Sequence, residues 1–217
     1  MIGEQIDISK LNFAAADSLL ANFAELLRIP RLVLTIAGES GSGKTHMSAA
    51  LSSAFEQKQC KVLVLHMDDF FHLPPAQNHQ SRLKSILNVG PQEVNLPRLN
   101  KIIDAFKRAE SSIVVPQVHY HEDRIEEQEI NIDKVDVLII EGTYAFLLNQ
   151  TDFHLFMSRN FEQTRSLREQ RNRGNEVNDP FVEQVLAIEH QLITATKEKA
   201  DAWIDIDFNL KYHAKKH

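Results

Sequence analysis

The sequence predicts an α/β protein, a mostly parallel sheet with helices packed on both of its faces. Three observations predict it. Strand-like apolar runs alternate with helix-period segments, several of the runs are continuously apolar, and no repeat or low-complexity linker interrupts them. Continuous apolar runs suit strands covered on both sides, which is the situation in parallel sheets joined by crossover helices. The chain of 217 residues is long enough for one substantial domain. A hydrophobic share of 43% and a charged share of 25% exclude a disordered or fibrous chain. No apolar run approaches the roughly 20 residues a bilayer span requires.

The elements follow in order. Leu19, Phe23, Leu26 and Leu27 share one helical face after a cap expected at Asp17, in an N-terminal helical extension over 1–30. Strands are expected at Leu32–Ala37, Lys61–His66, Ser112–Val115, Val135–Ile140, Phe153–Met157 and Ala202–Ile206. Met47, Ala50, Leu51 and Phe55 predict a helix between the first two. Leu99, Ile102, Ile103 and Phe106, with Pro97 near the start, predict another. Val182, Val185, Leu186 and Ile193 predict a long helix beginning near Asp179-Pro180. Residues 73–97 fit neither period and read as an irregular insertion covering the substrate side. Residues 160–180 read as a lid.

Composition narrows the function. The opening Met1-Ile2-Gly3-Glu4-Gln5 lacks the basic flank of a secretory signal, and a lone Cys60 cannot form an internal disulfide. A cytoplasmic protein without membrane partners is expected. A net charge of -6 argues against coating nucleic acid, so any anion must be held locally.

The local anion site is legible. Gly38-Glu39-Ser40-Gly41-Ser42-Gly43-Lys44-Thr45 fits G-x-x-x-x-G-K-[ST] in full, after a buried strand and before a helix. Glycines let the backbone turn its N–H groups toward phosphate oxygens, and the helix start adds its positive dipole end. Lys44 offers a mobile charge to the β- and γ-phosphates, and the Thr45 hydroxyl is a hard ligand for Mg²⁺. A nucleoside triphosphate, ATP, is the expected occupant.

Further groups suit phosphoryl transfer. His66-Met67-Asp68-Asp69-Phe70-Phe71 ends the second strand, where carboxylates reach the ligand crevice; both aspartates are expected to project toward the phosphates. Asp68 is the candidate base, with a share in the metal's water shell. Glu141, directly after the apolar Val135–Ile140 run, is where a second metal contact belongs. Arg165 and Arg168 fall three apart on one helix face, and Gly174 permits a chain reversal. Tyr120 is a candidate stacking residue, with His119 and Arg124 bonding polar groups of the acceptor.

Together, Gly38–Thr45, Asp68-Asp69-Phe70-Phe71, Pro116 to Arg124, Glu141-Gly142-Thr143-Tyr144-Ala145-Phe146, and Arg165, Arg168 and Arg173-Gly174 resemble the uridine kinase and phosphoribulokinase group of P-loop kinases. Asp-Asp-Phe-Phe is also similar to nicotinamide riboside kinases. The resemblance runs from about Leu32 to Leu210. It implies a three-layer P-loop NTPase fold with a five-stranded parallel core sheet, and an ATP-dependent phosphotransferase acting on a hydroxyl of a small molecule. It also implies Asp68 as general base, Lys44 as a catalytic charge, and Thr45, Asp68 and Glu141 around Mg²⁺. Arg165, Arg168 and Arg173 would close on ATP, and Phe71, Tyr144 and Arg165 would face the acceptor.

Departures fall on the acceptor side: Pro116-Gln117-Val118-His119-Tyr120-His121 replaces a Tyr-Asp pair, and Gly90-Pro91-Gln92-Glu93 lacks the family's histidine. Asn175 stands where the lid's final arginine is expected. Pantothenate, nicotinamide riboside, a sugar phosphate or another nucleoside are the competing acceptors, and a regulatory P-loop ATPase is the competing class. The sequence leaves room for a homo-oligomer.

Overall fold

The computed structural model describes residues 8–120, 122–165 and 179–213. Among these residues the strands are β1 (Leu32–Gly38), β2 (Val62–His66), β3 (Ser112–His119), β4 (Arg124–Asn131), β5 (Val137–Glu141), β6 (Phe153–Met157), β7 (Ala202–Ile204) and β8 (Leu210–Tyr212). The α-helices among them are α1 (Lys10–Asn22), α2 (Lys44–Glu56), α3 (Pro75–Lys84), α4 (Leu96–Lys107) and α5 (Pro180–Thr194). Six strands form one sheet in the order β2-β5-β1-β6-β7-β8, the first five parallel and β8 antiparallel to β7. This is the α/β architecture expected, with one added antiparallel edge.

β1 sits in the middle of the sheet, and all seven of its residues are buried. Alternation assigns its side chains to two cores. Val33 and Ala37, with Leu138, Ile140 and Phe156, pack under α4. Leu34 and Ile36, with Ile139 and Leu155, pack under α1 and α2. A fully buried Leu or Phe contributes about 1.5–3 kcal/mol, so α1, through Leu19 and Leu20, is part of the covering layer rather than an appendage. No helix among the described residues is long and apolar enough to cross a membrane.

Three expectations change, and one strand goes unforeseen. Ser9, not Asp17, caps α1: its Oγ accepts from Asn12 N at 3.3 Å, and Asn12 returns the contact to the Ser9 N–H. Asp17 lies inside the helix. The Ser112–Val115 run belongs to no parallel unit; it opens β3, which pairs antiparallel with β4 in a separate hairpin. β4 escapes notice because its sequence, Arg-Ile-Glu-Glu-Gln-Glu-Ile-Asn, leaves all but two of its residues exposed. Finally, residues 73–97 contain a regular helix, α3. It buries no residue, so no apolar period betrays it. Its start is capped from the hairpin turn, where Asp123 Oδ1 accepts from Ala76 N at 2.8 Å.

Candidate active site

The loop between β1 and α2 is crowded by design of the backbone. A Cβ at Gly38 would stand 2.8 Å from Ser42 Oγ and 2.9 Å from Met157 Cβ, so only glycine lets the chain fold back against β6. Lys44 opens α2, and its Nζ donates to the carbonyls of Gly38 and Glu39 at 2.9 Å each. The ammonium therefore lies curled along the loop beside the positive end of a thirteen-residue helix. Ser40, Gly41, Gly43, Lys44 and Thr45 line a cavity of about 310 Å³.

The carboxyl ends of β2 and β5 meet the same cavity, with His66 and Glu141 in register. Glu141 Oε1 accepts from Thr45 Oγ1 at 3.0 Å and lies 2.7 Å from His66 Nδ1. Burial pushes the Glu141 carboxyl up, but the His66 bond and the Lys44 charge outweigh it and hold the group below the usual range. Glu141 is thus an anion at neutral pH. Asp68 follows in the turn Met67–Phe70. Its side chain is open to the cavity. Partial desolvation by the surrounding protein, and then the charge of Glu141, raise its carboxyl above the ordinary aspartate value despite Lys44.

Asp69 is a correction. It is buried, and its Oδ1 accepts from Val118 N at 3.2 Å, tying the turn to β3. Residues along a 3₁₀ turn rotate by roughly 120° each, so consecutive carboxylates cannot point the same way. Gly142 explains how the turn fits: a Cβ there would lie 2.3 Å from Met67 Cβ. The glycine after Glu141 gives the Asp68-bearing turn its seat.

The opposite wall comes from α3 and α5. Arg82 donates to both oxygens of Glu93 at 2.6 and 2.9 Å, and to Glu189 at 3.1 Å. Glu93 also accepts from Asn78 Nδ2 at 3.0 Å and from Gly90 N at 2.8 Å. Phe71 and Tyr120 line this side with Phe181. Sequence reasoning singled out neither Arg82 nor Glu189. On a polar helix such as α3, an arginine reads as solvated surface, and only Glu93's replacement of a family residue hinted at the pair.

Other expected residues lie elsewhere. His119 Nε2 is 3.0 Å from Glu126, and Arg124 pairs with Glu122 at 2.7 Å and with Glu126, so both serve the hairpin and neither lines the cavity. Arg165 is exposed and also absent from the lining. Tyr144 is buried, 4% exposed, behind the wall. The Glu39 carboxylate turns away from the cradle, accepting from Phe161 N at 2.6 Å and meeting His190 Nδ1 at 2.7 Å. Arg168, Arg173 and His121 lie outside the described residues, among which no cluster of three metal-ligating side chains occurs.

A phosphate cradle alone would fit switches and motors as well as enzymes. A carboxylate facing that cradle narrows the class, and the fold is that of the P-loop kinases. The family follows directly. Residues 33–207 match the model of the Phosphoribulokinase / Uridine kinase family, and the chain belongs to it, a family of small-molecule kinases. The chain is 26% identical over 182 residues to the bifunctional alpha-galactosidase/sucrose kinase AgaSK of Mediterraneibacter gnavus, covering 78% of this chain but only 20% of that protein. It is 26% identical over 184 residues to a uridine kinase of Bacillus cereus, covering 78% of this chain and 83% of the other. The solved D-glycerate 3-kinase of Cryptococcus neoformans superposes with a TM-score of 0.61 at 16% identity, over 94% of this chain and 100% of that one, a likeness of fold alone.

Proposed function

We propose that this protein is an ATP-dependent kinase that transfers the γ-phosphoryl group to a hydroxyl of a small metabolite, a nucleoside or a similar compound. One observation carries the reading: Asp68 and Lys44 line a single cavity, acid-base group on one side and phosphate charge on the other. The triphosphate would lie in the loop against inward amides, the α2 N-terminus and Lys44. Asp68 accepts the proton of the attacking hydroxyl as its oxygen bonds to the γ-phosphorus. The bond from that phosphorus to the bridging oxygen breaks, and its electron pair leaves with ADP. Lys44 offsets the charge spreading over the transferred group.

The oxygen donors of Thr45 and Glu141, with Asp68 at hand for its water shell, fit a Mg²⁺ ion, and Glu141 is kept ionised for that role. When bound, the ion supplies further charge neutralisation at the phosphates. Names of the relatives span a nucleoside and a disaccharide, so membership in the family does not choose the acceptor.

Asp68→Asn tests the assignment. Acceptor-dependent ADP release is expected to fall by about 10²–10⁴-fold, with affinity for a fluorescent ATP analogue kept within a few-fold. Wild-type turnover in that variant would remove Asp68 from the base role.

A further inference from the structure

We infer that His66 is a positioning residue: its ring N–H pins one oxygen of Glu141 and so turns the other toward the divalent ion that accompanies the nucleotide. The inference rests on the kinase reading and adds to it a residue that touches neither substrate nor ion.

Register brings the pair together. β2 and β5 are parallel neighbours whose last residues, His66 and Glu141, stand opposite each other, so both side chains leave the same face of the sheet at its carboxyl edge. His66 Nδ1 lies 2.7 Å from Glu141 Oε1. An ionised carboxylate has no proton to give, so the ring nitrogen is the donor and its partner fixes the Nδ1–H tautomer. Glu141 and Thr45 line the cavity and His66 does not. The imidazole stands behind the carboxylate and acts on the cavity through it.

Which oxygen is held decides what the other can do. Oε1 takes two bonds, from His66 on β2 and from Thr45 Oγ1 on α2 at 3.0 Å. Among the described residues none donates to Oε2, and the little of Glu141 that is exposed, 5%, belongs to the cavity lining. A carboxylate that turns about its last bond exchanges its oxygens. Two donors on one oxygen, from separate elements, leave it a single orientation. The effect reaches Thr45 as well: its hydroxyl proton is committed to Oε1, so the lone pairs of Oγ1 are left for a cation. Charge compensation by itself does not require His66, because the Lys44 ammonium already acts on Glu141. What the ring adds is direction. Ligating carboxylates are commonly oriented by such outer partners, and losing one costs about 10–100-fold in metal affinity.

The test is Mn²⁺ binding to the full chain with a non-hydrolysable ATP analogue, read by electron paramagnetic resonance, beside binding of a fluorescent ATP analogue in EDTA. His66→Ala is expected to weaken Mn²⁺ binding about tenfold or more, while metal-free nucleotide affinity stays within about twofold. His66→Asn keeps an N–H where Nδ1 stands, without a ring that can charge, and should recover most of the loss. His66→Gln, whose amide falls at the Nε2 position, should not; that contrast carries the test if the alanine variant does not fold. In a Glu141→Gln background, adding His66→Ala should change Mn²⁺ affinity by less than about twofold, since the group it acts through is gone. Equal Mn²⁺ affinity in the wild type and His66→Ala overturns the proposal. So does a loss that persists in the Glu141→Gln background or that asparagine fails to relieve. A joint fall of Mn²⁺ and metal-free nucleotide binding also overturns it, because His66 would then be a structural support of the loop; each of these outcomes leaves the kinase reading standing. A wild-type chain that binds neither nucleotide nor Mn²⁺ overturns both.

Discussion

The two walls of the cavity are built in different currencies of structure. What we read as the nucleotide wall is the end of β1, the loop and the start of α2, the eight consecutive residues Gly38–Thr45, which would act through backbone amides and one ammonium. The wall we assign to the acceptor gathers side chains from Phe71, from Arg82 on α3 and from Glu189 on α5, more than a hundred positions apart in the chain. Backbone recognition must be local, so it leaves a motif. Side-chain recognition can draw on any element that reaches the cavity, so it leaves none. Glu39 of the loop reaches across to α5: it holds His190, the residue after Glu189, and also the Phe161 amide.

The sharpest break of the nucleotide wall is Lys44→Ala. Its two hydrogen bonds go to loop carbonyls, so the fold should persist. The rate should not: losing the charge aimed at the phosphates is expected to lower kcat by about 10²–10³-fold. A coupled ADP assay alongside a thermal melt reads both quantities. A melt that collapses with the rate would mean Lys44 is a structural residue.

Next in size is Gly142→Ala, which strikes the seam where the nucleotide wall meets the catalytic turn. The new methyl would press on Met67 Cβ at 2.3 Å and on its Cγ and Sδ at 3.0 Å, and the turn must shift. Overpacking of that kind costs about 1–3 kcal/mol, and Asp68 moves with it. Chemical denaturation should show the loss, and kcat should fall more than the KM for ATP rises. An unchanged midpoint would show that the turn yields freely.

The joint itself comes third. Glu39→Ala leaves the Phe161 amide and His190 without their acceptor, at about 1–2 kcal/mol. If the joint carries position from one wall to the other, the KM values for ATP and acceptor should both rise. A rise confined to ATP would mean the walls are built independently.

Legibility followed the same division. The parallel sheet was readable because β1 and β5 are apolar at nearly every position, Thr35 and Glu141 aside, as double-sided burial requires. The cradle motif was readable, and so was the meeting of Thr45 and Glu141 at one crevice, because strand ends converge there. Asp68 was readable as a group at the crevice, but the opposed directions of Asp68 and Asp69 depend on a tight turn the sequence does not announce. α3 was invisible for want of an apolar stripe; packing on the cavity and a cap from Asp123 hold it instead. His119 and Arg124 looked like acceptor ligands because their polar character was plain, while their partners, Glu126 on β4 and Glu122 in the turn before it, were known only once the hairpin register was. Arg82 and Glu189 carried no local mark at all.

The smallest expected effect lies under the nucleotide wall, at His154 on β6. Its ring sits between Thr35 Oγ1, at 2.6 Å from Nδ1, and Thr151 Oγ1, at 3.2 Å from Nε2, and against Phe146. Burial holds its pKa below the ordinary 6.5, in spite of Asp201 and with help from Lys199. The folded protein therefore binds the proton less readily than the unfolded chain. Stability is full above 6.5 and declines as pH falls from there toward the folded value, because the unfolded state takes up the proton first. Each unit of depression corresponds to about 1.4 kcal/mol at most. Melting curves at about pH 7.5 and about pH 5.5 should differ more in the wild type than in His154→Gln, which has no proton to take. Because Thr35 lies on β1, acidification should also weaken ATP binding before acceptor binding. Equal pH sensitivity in the two proteins would show that His154 is not the group that couples acid to this wall.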